Sequence, residues 1–306
     1  MRIVVMGAGG VGGFYGARLA QGGADVTFIA RGAHLQAMRQ GGLRVESATA
    51  GNFTVLPVDA TGDPRTLGTA DLVLFCTKDY GLEAAARSLL PVIGPQTVVL
   101  PLLNGVDAAE RLGALLGAEH MVGGTVFVAA SIREPGLIAH TNLDRLIFGE
   151  LDGGVSPRCE AVLAAFHDHG IPTAELSTDI RLELWKKYLF LNAMAGVGSV
   201  VRKPLGAWRG EPETRRLYEA CMQETEAVAR VLGIALPESI VTDTLTFTDG
   251  RPPEIIPSMA YDLMQGKPLE LEALQGTMMR LGRETGVPTP GNDFIHAALV
   301  LWADGG

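Results

Sequence analysis

A group of glycines near the start of the chain has the spacing of a diphosphate-binding loop. Residues 7–13 read GAGGVGG and directly follow the apolar run Arg2–Met6. Gly7, Gly9 and Gly12 match the pattern GxGxxG between a strand and a helix. The first glycine allows a tight turn, the second lets backbone amides approach a pyrophosphate, and the third lets the helix pack closely on the strand.

The helix that follows this loop would complete an anion site, because its N-terminus offers unpaired N–H groups and a partial positive charge. A glycine-rich turn without a ligand is the structural alternative. The position at the mouth of a strand–turn–helix unit favours dinucleotide binding. The predicted cofactor contacts are Gly7, Ala8, Gly9, Gly10, Val11, Gly12 and Ala130.

The end of the second predicted strand indicates which dinucleotide is bound. A site for NAD usually has Asp or Glu there, which accepts hydrogen bonds from the adenosine ribose. This chain has no carboxylate at that point and reads Ala30-Arg31-Gly32. A guanidinium can hold a 2′-phosphate through paired hydrogen bonds. We therefore predict NADP(H) as the cofactor, with a solvated surface arginine as the alternative for Arg31.

Other polar residues occur where a sheet ligand would be contacted. Lys78 follows the predicted strand Asp71–Cys76, and Asn104 follows the predicted strand Thr97–Leu102. Ligands of open α/β sheets bind outside the carboxyl ends of the strands, where both residues would lie. Three more candidates occur farther along the chain: Lys187 two residues after Trp185, Ser258 after Pro257, and Glu270 twelve positions after Ser258.

In this order and spacing, the segments resemble the ketopantoate reductases (2-dehydropantoate 2-reductases) over nearly the whole chain. The resemblance implies NADPH-dependent reduction of a branched 2-keto acid to a 2-hydroxy acid, with ketopantoate as the leading substrate. It rests on GAGGVGG at 7–13, TKxY at 77–80, LLNG at 102–105, PGLIAHT at 135–141, FGE at 148–150, WxK at 185–187, PSM at 257–259, and Glu270.

The resemblance also implies a role for each matching residue. The lysine two positions after the tryptophan protonates the carbonyl oxygen, which assigns this role to Lys187 rather than Lys186. The remaining roles are cofactor and substrate contact for Asn104, substrate contact for Ser258, interaction at the ternary site for Glu270, and a place beside the cofactor for Lys78.

The chemistry of these residue types agrees with such roles. Hydride addition to a ketone leaves an alkoxide that needs a proton, and a cationic lysine can stabilise the charge and donate that proton. Burial would lower the lysine pKa, and a nearby carboxylate would oppose this effect. The structural alternatives are a surface lysine at 187, a solvated helix charge at 270 with Glu272 close by, a helix cap at 258 and a turn residue at 104.

The chain departs from the family pattern on the helix that carries the lysine. The ketopantoate enzymes usually have asparagines four and eight residues after it, where this chain has Leu191 and Ala195. Asn192 is one step away, about 100° round the helix, and is the substitute that we predict as a substrate contact. The simpler alternative is a more apolar substrate pocket. Gln275 likewise replaces a common asparagine on the helix of Glu270.

The elements that must position these residues follow an α/β order in the first half of the chain. Apolar β-rich runs alternate with helical patterns, which indicates a Rossmann-type, doubly wound parallel sheet. The segments Val122–Ala130, Leu137–Thr141 and Leu146–Glu150 predict added strands that would extend this sheet antiparallel. After Asp179 strand signals largely vanish and long helical patterns follow, one of which predicts a single helix over Leu269–Thr285. We predict an NADP-binding domain at 1–178 and an all-α substrate and catalytic domain at 179–306.

Length and composition limit the other possibilities. The 306 residues favour two domains, and the net charge of −9 speaks against nucleic acid or an anionic membrane as partner. Three scattered cysteines favour a reducing cytoplasm over a disulfide framework, and the histidines have no metal spacing. How commonly enzymes pair favours a homodimer. Two rival functions stay open: a dehydrogenase of another hydroxy acid or an opine-type substrate, and a non-enzymatic NADPH sensor.

Overall fold

The computed structural model describes residues 1–306, and the chain divides into two units. The first, called here the Rossmann unit, comprises Met1–Leu103 and Ala108–Ile180. The second, called the helical unit, comprises Asn104–Asp107 and Arg181–Gly306. The sequence did not indicate that the short segment Asn104–Asp107 belongs with the helices, although it follows a strand of the Rossmann unit.

The Rossmann unit contains ten strands and five α-helices. The strands are β1 (Arg2–Met6), β2 (Asp25–Ile29), β3 (Leu43–Ser47), β4 (Phe53–Val55), β5 (Asp59–Thr61), β6 (Leu72–Phe75), β7 (Val98–Pro101), β8 (Gly123–Glu134), β9 (Leu137–Gly149) and β10 (Ala174–Leu176). The helices are α1 (Gly10–Gln21), α2 (Gly32–Gly41), α3 (Leu82–Leu89), α4 (Ala108–Leu116) and α5 (Pro157–Asp168).

The first sheet is parallel throughout, with the strand order β5-β2-β1-β6-β7. All four residues of β6 and all four of β7 are buried, as expected for short apolar runs whose two faces are both covered. The chain moves outward from β1 to β2 and β5, and then returns to β6 on the other side of β1. The strand order therefore reverses between β1 and β6, and this confirms the predicted Rossmann-type fold.

The added strands form a second sheet instead of extending the first, which corrects the sequence-based expectation. Its order is β10-β9-β3-β4, and β8 pairs antiparallel with β9. The short strand β3, which the sequence analysis missed, pairs parallel with β9 and antiparallel with β4, so it joins β4 to this sheet. Contact with the first sheet is made just before β8, through a parallel bridge between Val99 and Met121.

The strand β9 is continuous where the sequence predicted two separate strands. The polar residues Thr141, Asn142 and Asp144 interrupt the apolar pattern, but the strand continues through this segment, where Leu143 has φ +60°. The buried ring of His140 supports this irregular segment, because its Nε2 lies 2.7 Å from the Leu143 carbonyl oxygen and its Nδ1 lies 2.7 Å from the hydroxyl of Ser47. Local side-chain bonds thus replace ladder bonds where the register shifts.

The helical unit begins with a long helix and continues with shorter ones, as the loss of strand signals predicted. Its α-helices are α6 (Ile180–Val201), α7 (Leu205–Trp208), α8 (Pro212–Val231), α9 (Ile240–Asp249), α10 (Ser258–Met264), α11 (Thr277–Thr285) and α12 (Pro290–Leu299). Its core is rich in buried aromatic residues, among them Trp185, Tyr188, Trp208 and Tyr218. None of the helices is both long enough and apolar enough to span a lipid bilayer.

One segment of the helical unit departs from α-helical geometry. The sequence predicted a single helix over Leu269–Thr285, but residues Glu272–Gly276 form a π-helical turn that runs directly into α11. The amide of Gly276 donates to the carbonyl of Leu271 at 3.0 Å, which is the wider hydrogen-bond spacing of a π-helix. The π-turn, Glu272–Gly276, begins two residues after Glu270.

Candidate active site

The glycine loop has the backbone geometry that a diphosphate site requires. Gly7 adopts φ +96° directly after β1, and α1 begins at Gly10, with Gly9 as its N-cap. No side chain caps this helix and its first turn has no acidic residue, so its first amides remain available to an anion. The loop lies at the carboxyl end of β1, where the strand order reverses.

The glycines of the loop are required for different reasons. A Cβ on Gly12 would lie 2.2 Å from the carbonyl oxygen of Gly7, so this residue lets α1 pack on the strand, as predicted. A Cβ on Gly10 would lie 2.1 Å from the carbonyl oxygen of Ala130, which brings this predicted cofactor contact beside the loop. A Cβ on Gly9 would meet no atom within 4 Å. The space above Gly9 is therefore open to a ligand.

A cavity of about 180 Å³ adjoins the loop within the Rossmann unit. Arg31, at the end of β2, is one of its lining residues, as the cofactor interpretation predicted. Lys78 is exposed at the carboxyl end of β6, next to the cavity residue Thr77. The cavity lining comprises Met6, Gly7, Ala8, Gly9, Ile29, Ala30, Arg31, His34, Thr77 and Ile132.

Two polar residues of this cavity were missed in the sequence analysis. The Nε2 of His34 and the Oγ1 of Thr77 are buried, and neither makes a hydrogen bond within the protein. The Nδ1 of His34 accepts a hydrogen bond from the amide of Gly136 at 3.1 Å, so the neutral ring carries its proton on Nε2. Buried polar atoms normally have partners, which indicates that a polar ligand supplies them here.

The charge state of His34 fits this interpretation. Burial lowers the pKa of His34, and the nearby backbone of Ala8 acts in the opposite direction. The ring is therefore neutral near pH 7 and presents one N–H donor. The residues of the cavity thus fit a dinucleotide: open space above Gly9, backbone amides at the start of α1, a guanidinium, and two unpaired polar atoms. The signal in the sequence was the position of His34 just after Arg31 and of Thr77 just before Lys78.

In the helical unit, three residues predicted to act together are joined by hydrogen bonds. The Nζ of Lys187, on α6, donates to the Oδ1 of Asn104 at 3.3 Å. The Nδ2 of Asn104 donates to the Oε2 of Glu270 at 3.3 Å. One amide therefore connects an ammonium to a carboxylate. These three residues, Lys187, Asn104 and Glu270, are called here the lysine–amide–glutamate chain.

Burial determines the electrostatics of this chain. Loss of hydration lowers the pKa of Lys187 to about 8, although the carboxylate of Glu270 acts in the opposite direction. Glu270 is itself buried, with 6% of its surface exposed, whereas Lys187 and Asn104 are partly buried. The ammonium is protonated near pH 7, yet it releases its proton far more readily than a surface lysine. A group of this kind can act as a general acid.

The neighbouring side chains distinguish the members of the chain from their alternatives. Lys186 forms an ion pair with Glu183 at 3.0 Å. Glu272, the other carboxylate of the segment, is exposed and lies 2.8 Å from the Nε2 of His296. Lys186 and Glu272 thus bind other partners, whereas Lys187 and Glu270 each form a hydrogen bond with Asn104.

Two predicted substrate contacts lie apart from these hydrogen bonds. Ser258 is exposed as the first residue of α10, and Pro257 occupies the cap position, so the serine is not the N-cap. Asn192 is fully buried. Its Nδ2 donates to the Oδ1 of Asn292 at 2.7 Å, and its Oδ1 accepts from Gln275 at 2.9 Å. The Asn192 side chain is thus paired within the core, and a substrate contact there stays an untested prediction.

Comparison with known proteins identifies the family. The sequence profile described as "Ketopantoate reductase PanE/ApbA" matches residues 3–153, and the profile "Ketopantoate reductase PanE/ApbA C terminal" matches residues 179–301. The chain belongs to the ketopantoate reductase family. It is accordingly an enzyme and an oxidoreductase, as the resemblance implied.

Individual relatives are similar to this protein over nearly its full length. A 2-dehydropantoate 2-reductase of Mesorhizobium japonicum is 31% identical, covering 98% of this chain and 97% of the relative. The crystal structure of a PanE/ApbA family ketopantoate reductase from Ralstonia eutropha JMP134 is 32% identical with a TM-score of 0.91, covering 99% of this chain and 98% of that one. A D-mandelate dehydrogenase structure, 22% identical with a TM-score of 0.89 and covering 99% and 98%, shares the fold.

The open space above Gly9 generates a prediction that separates ligand binding from folding. Gly9→Ala should leave the thermal unfolding midpoint near that of the wild type, because φ −73° and ψ −160° suit any residue and the methyl meets no atom. It should raise the Kd for NADPH at least about tenfold, because the methyl blocks the approach of a pyrophosphate. Thermal scans and fluorescence titration with NADPH measure the two quantities.

Gly12→Ala is the matched comparison, because its methyl would clash with the Gly7 carbonyl in the ligand-free protein. Overpacking of this kind costs about 1–3 kcal/mol, so this variant should unfold at a lower temperature. Wild-type NADPH affinity in Gly9→Ala would contradict the assignment of the loop to the cofactor.

Proposed function

We propose that this protein uses NADPH to reduce a branched 2-keto acid to the 2-hydroxy acid, with Lys187 as the proton donor. The observation that carries the proposal is the lysine–amide–glutamate chain, in which a lysine with a pKa of about 8 is held by Asn104. The names of the relatives support the reaction class, because several are 2-dehydropantoate 2-reductases.

The proposed step needs a proton at the oxygen of the substrate carbonyl. A bound nicotinamide in its reduced form would supply a hydride to the carbonyl carbon of the substrate. Lys187 donates a proton from Nζ to the oxygen, so the ketone becomes an alcohol and the lysine becomes neutral. Before transfer, the positive charge of Lys187 stabilises the developing alkoxide. Solvent then restores the proton on the lysine.

Asn104 and Glu270 control the lysine in this proposal. The Oδ1 of Asn104 accepts from Nζ and its Nδ2 donates to Glu270, so the orientation of the amide is fixed by both partners. The Glu270 carboxylate keeps the pKa of Lys187 from falling further on burial. The lysine therefore remains charged at neutral pH while staying acidic enough to donate. Asn104 positions Nζ through this hydrogen bond.

The preference for NADPH over NADH rests on Arg31 in this proposal. The cavity of the Rossmann unit contains this arginine and no carboxylate among its lining residues. A guanidinium favours a 2′-phosphate, whereas the ribose of NADH would find no carboxylate to bind. His34 and Thr77 add two polar contacts to the same ligand. The backbone amides of Gly9 and Gly10 would hold the diphosphate.

The substrate is proposed by class, with ketopantoate as the first candidate. Ser258, exposed at the start of α10, is a proposed contact to it. The positions of the family's two substrate asparagines are occupied here by Leu191, which is partly buried, and Ala195, which is buried. Asn192 has its amide paired in the core and is left out of the proposed substrate contacts. A pocket with these residues favours a substrate with apolar branches.

The experiment that tests the proposal measures NADPH oxidation with a panel of 2-keto acids that includes ketopantoate and other branched-chain members. We expect turnover with at least one branched 2-keto acid, well above the rate without substrate. The control assays use NADP⁺ with 3-hydroxy acids and with opine-type amines. Turnover in the control assays alone would replace this proposal by the rival dehydrogenase, and no turnover in any assay would favour an NADPH sensor.

The pKa of Lys187 predicts the pH dependence of the reaction. Proton donation requires the charged lysine, so kcat for reduction should be constant below pH 8 and fall about tenfold per pH unit above it. Lys187→Ala should lower kcat by about 100-fold or more while keeping the Kd for NADPH. Lys186→Ala is the matched control, because the neighbouring ammonium is paired with Glu183 and should be dispensable. Equal losses in the two variants would contradict the assignment.

The role of Arg31 is tested by its charge reversal. Arg31→Asp should weaken NADPH binding by about 10- to 100-fold, the size expected for loss of charge-assisted hydrogen bonds, and leave NADH binding nearly unchanged. Arg87→Asp changes the charge equally at an exposed position of α3 and serves as the control. Titration of both variants with both nucleotides provides the four constants. Equal weakening for NADPH and NADH in Arg31→Asp would remove the assigned specificity.

A further inference from the structure

The π-turn Glu272–Gly276 departs from α-helical geometry, and it lies beside a residue of the lysine–amide–glutamate chain. A π-turn widens the helix by one residue and weakens its own backbone hydrogen bonding, and such turns occur frequently at functional sites. Glu270 lies two residues before this turn. The amide of Leu274 still donates to the Glu270 carbonyl at 3.2 Å, so the backbone of the glutamate is continuous with the turn.

One face of α6 holds the π-turn by side-chain hydrogen bonds. The hydroxyl of Tyr188 donates to the carbonyl of Leu274 at 2.6 Å. The Nε2 of Gln275 donates to the backbone oxygen of Asn192 at 2.8 Å and to its Oδ1 at 2.9 Å. A Cβ on Gly196 would lie 2.7 Å from Nε2 of Gln275. Positions 188, 192 and 196 are four residues apart and so share one face of the helix.

The π-turn and the start of α11 also contact the loop that carries Asn104. A Cβ on Gly105, which has φ +102°, would lie 3.0 Å from the carbonyl oxygen of Ala273. The hydroxyl of Thr277 donates to the Oδ2 of Asp107 at 3.2 Å, and Arg280 donates to the same oxygen at 2.9 Å. The π-turn therefore packs between α6 and the segment Asn104–Asp107.

Each member of the lysine–amide–glutamate chain thus lies on a segment that contacts the π-turn or leads into it. Lys187 is adjacent to Tyr188 on α6, Asn104 is adjacent to Gly105, and Glu270 precedes the turn. We propose that Tyr188 and Gln275 are positioning residues, which fix the π-turn against α6 and thereby set the two 3.3 Å contacts of Asn104. The inference rests on the proposed function for its catalytic consequence.

Two properties of the contacts distinguish this role from ordinary packing. Tyr188 is fully buried, and its pKa is raised well above the ordinary value by burial, so the phenol remains a hydrogen-bond donor at any assay pH. Gln275 keeps both of its Nε2 contacts although its Oε1 is buried without a partner. The amide is therefore oriented by the Asn192 oxygens alone. Both side chains bind backbone carbonyls, so they act on the path of the chain.

The experiment compares Tyr188→Phe with Tyr218→Phe. Tyr218 is an equally buried tyrosine of the helical unit. Its hydroxyl lies 2.9 Å from the Oγ1 of Thr248, a contact that joins α8 to α9. Both variants lose one buried hydroxyl and should unfold at lower temperature. Only Tyr188→Phe should lower kcat, by about tenfold or more, with the KM for NADPH within about twofold of wild type, because small displacements of catalytic groups are costly.

A second measurement does not depend on turnover. Hydrogen exchange of the peptide that contains residues 272–276 should be at least about tenfold faster in Tyr188→Phe and unchanged in Tyr218→Phe. Gln275→Met, which keeps the side-chain length and removes both donors, should show the same pattern if Tyr188→Phe does not fold. Unchanged exchange, or faster exchange with a kcat equal to that of Tyr218→Phe, would overturn the inference.

Failure of the proposed function would be recognised separately. If the wild-type protein turned over none of the 2-keto acids, the reductase proposal would fail, while the exchange measurement would still decide whether Tyr188 and Gln275 fix the π-turn.

Discussion

The central constraint in this protein is a lysine ammonium that has lost much of its hydration. Water stabilises an ammonium strongly, so burial alone would drive Lys187 toward the neutral form. The Glu270 carboxylate opposes this effect of burial, and the resulting pKa of Lys187 is about 8. The amide of Asn104 bonds to both groups and helps to fix their geometry, and the lysine with this pKa is charged at neutral pH and more acidic than a surface lysine.

The fold brings Asn104 to Lys187 and Glu270 through a short segment of the chain that leaves the Rossmann unit. Asn104–Asp107 follow β7 of the Rossmann unit, yet they belong to the helical unit by their contacts. Asp107 is tied to α11 through Arg280 and Thr277. Gly105 has a left-handed backbone that allows close approach to Ala273. The amide that orients the lysine is therefore delivered by a loop whose own position is determined by helices.

The sequence predicted the parts of the protein that obey local rules. The glycine loop follows from steric limits within a few residues, and each of Gly7, Gly9 and Gly12 has the surroundings expected for its role. Asn104 was indicated by its position after a predicted strand, whereas the roles of Lys187 and Glu270 came only from the resemblance, because nothing local distinguishes Lys187 from Lys186. The second sheet was misjudged because β3 and β9 pair across about ninety residues, a distance over which periodicity carries no information on partners. The π-turn was missed since its apolar spacing also suits an α-helix.

Asn192 and Gln275 show how two departures from a family pattern can have one physical cause. The sequence treats them as separate differences, one on α6 and one near Glu270. In the structure they are hydrogen-bond partners, and Gly196 provides the space in which they meet. Gln275 reaches the Asn192 backbone because its side chain is one methylene longer than that of asparagine. Asn192 is in turn held by Asn292, whose amide donates to Glu224 at 2.6 Å. The polar group one step round the helix thus serves contacts between helices, whereas Leu191 and Ala195 occupy the two positions at which the resemblance led us to expect asparagine.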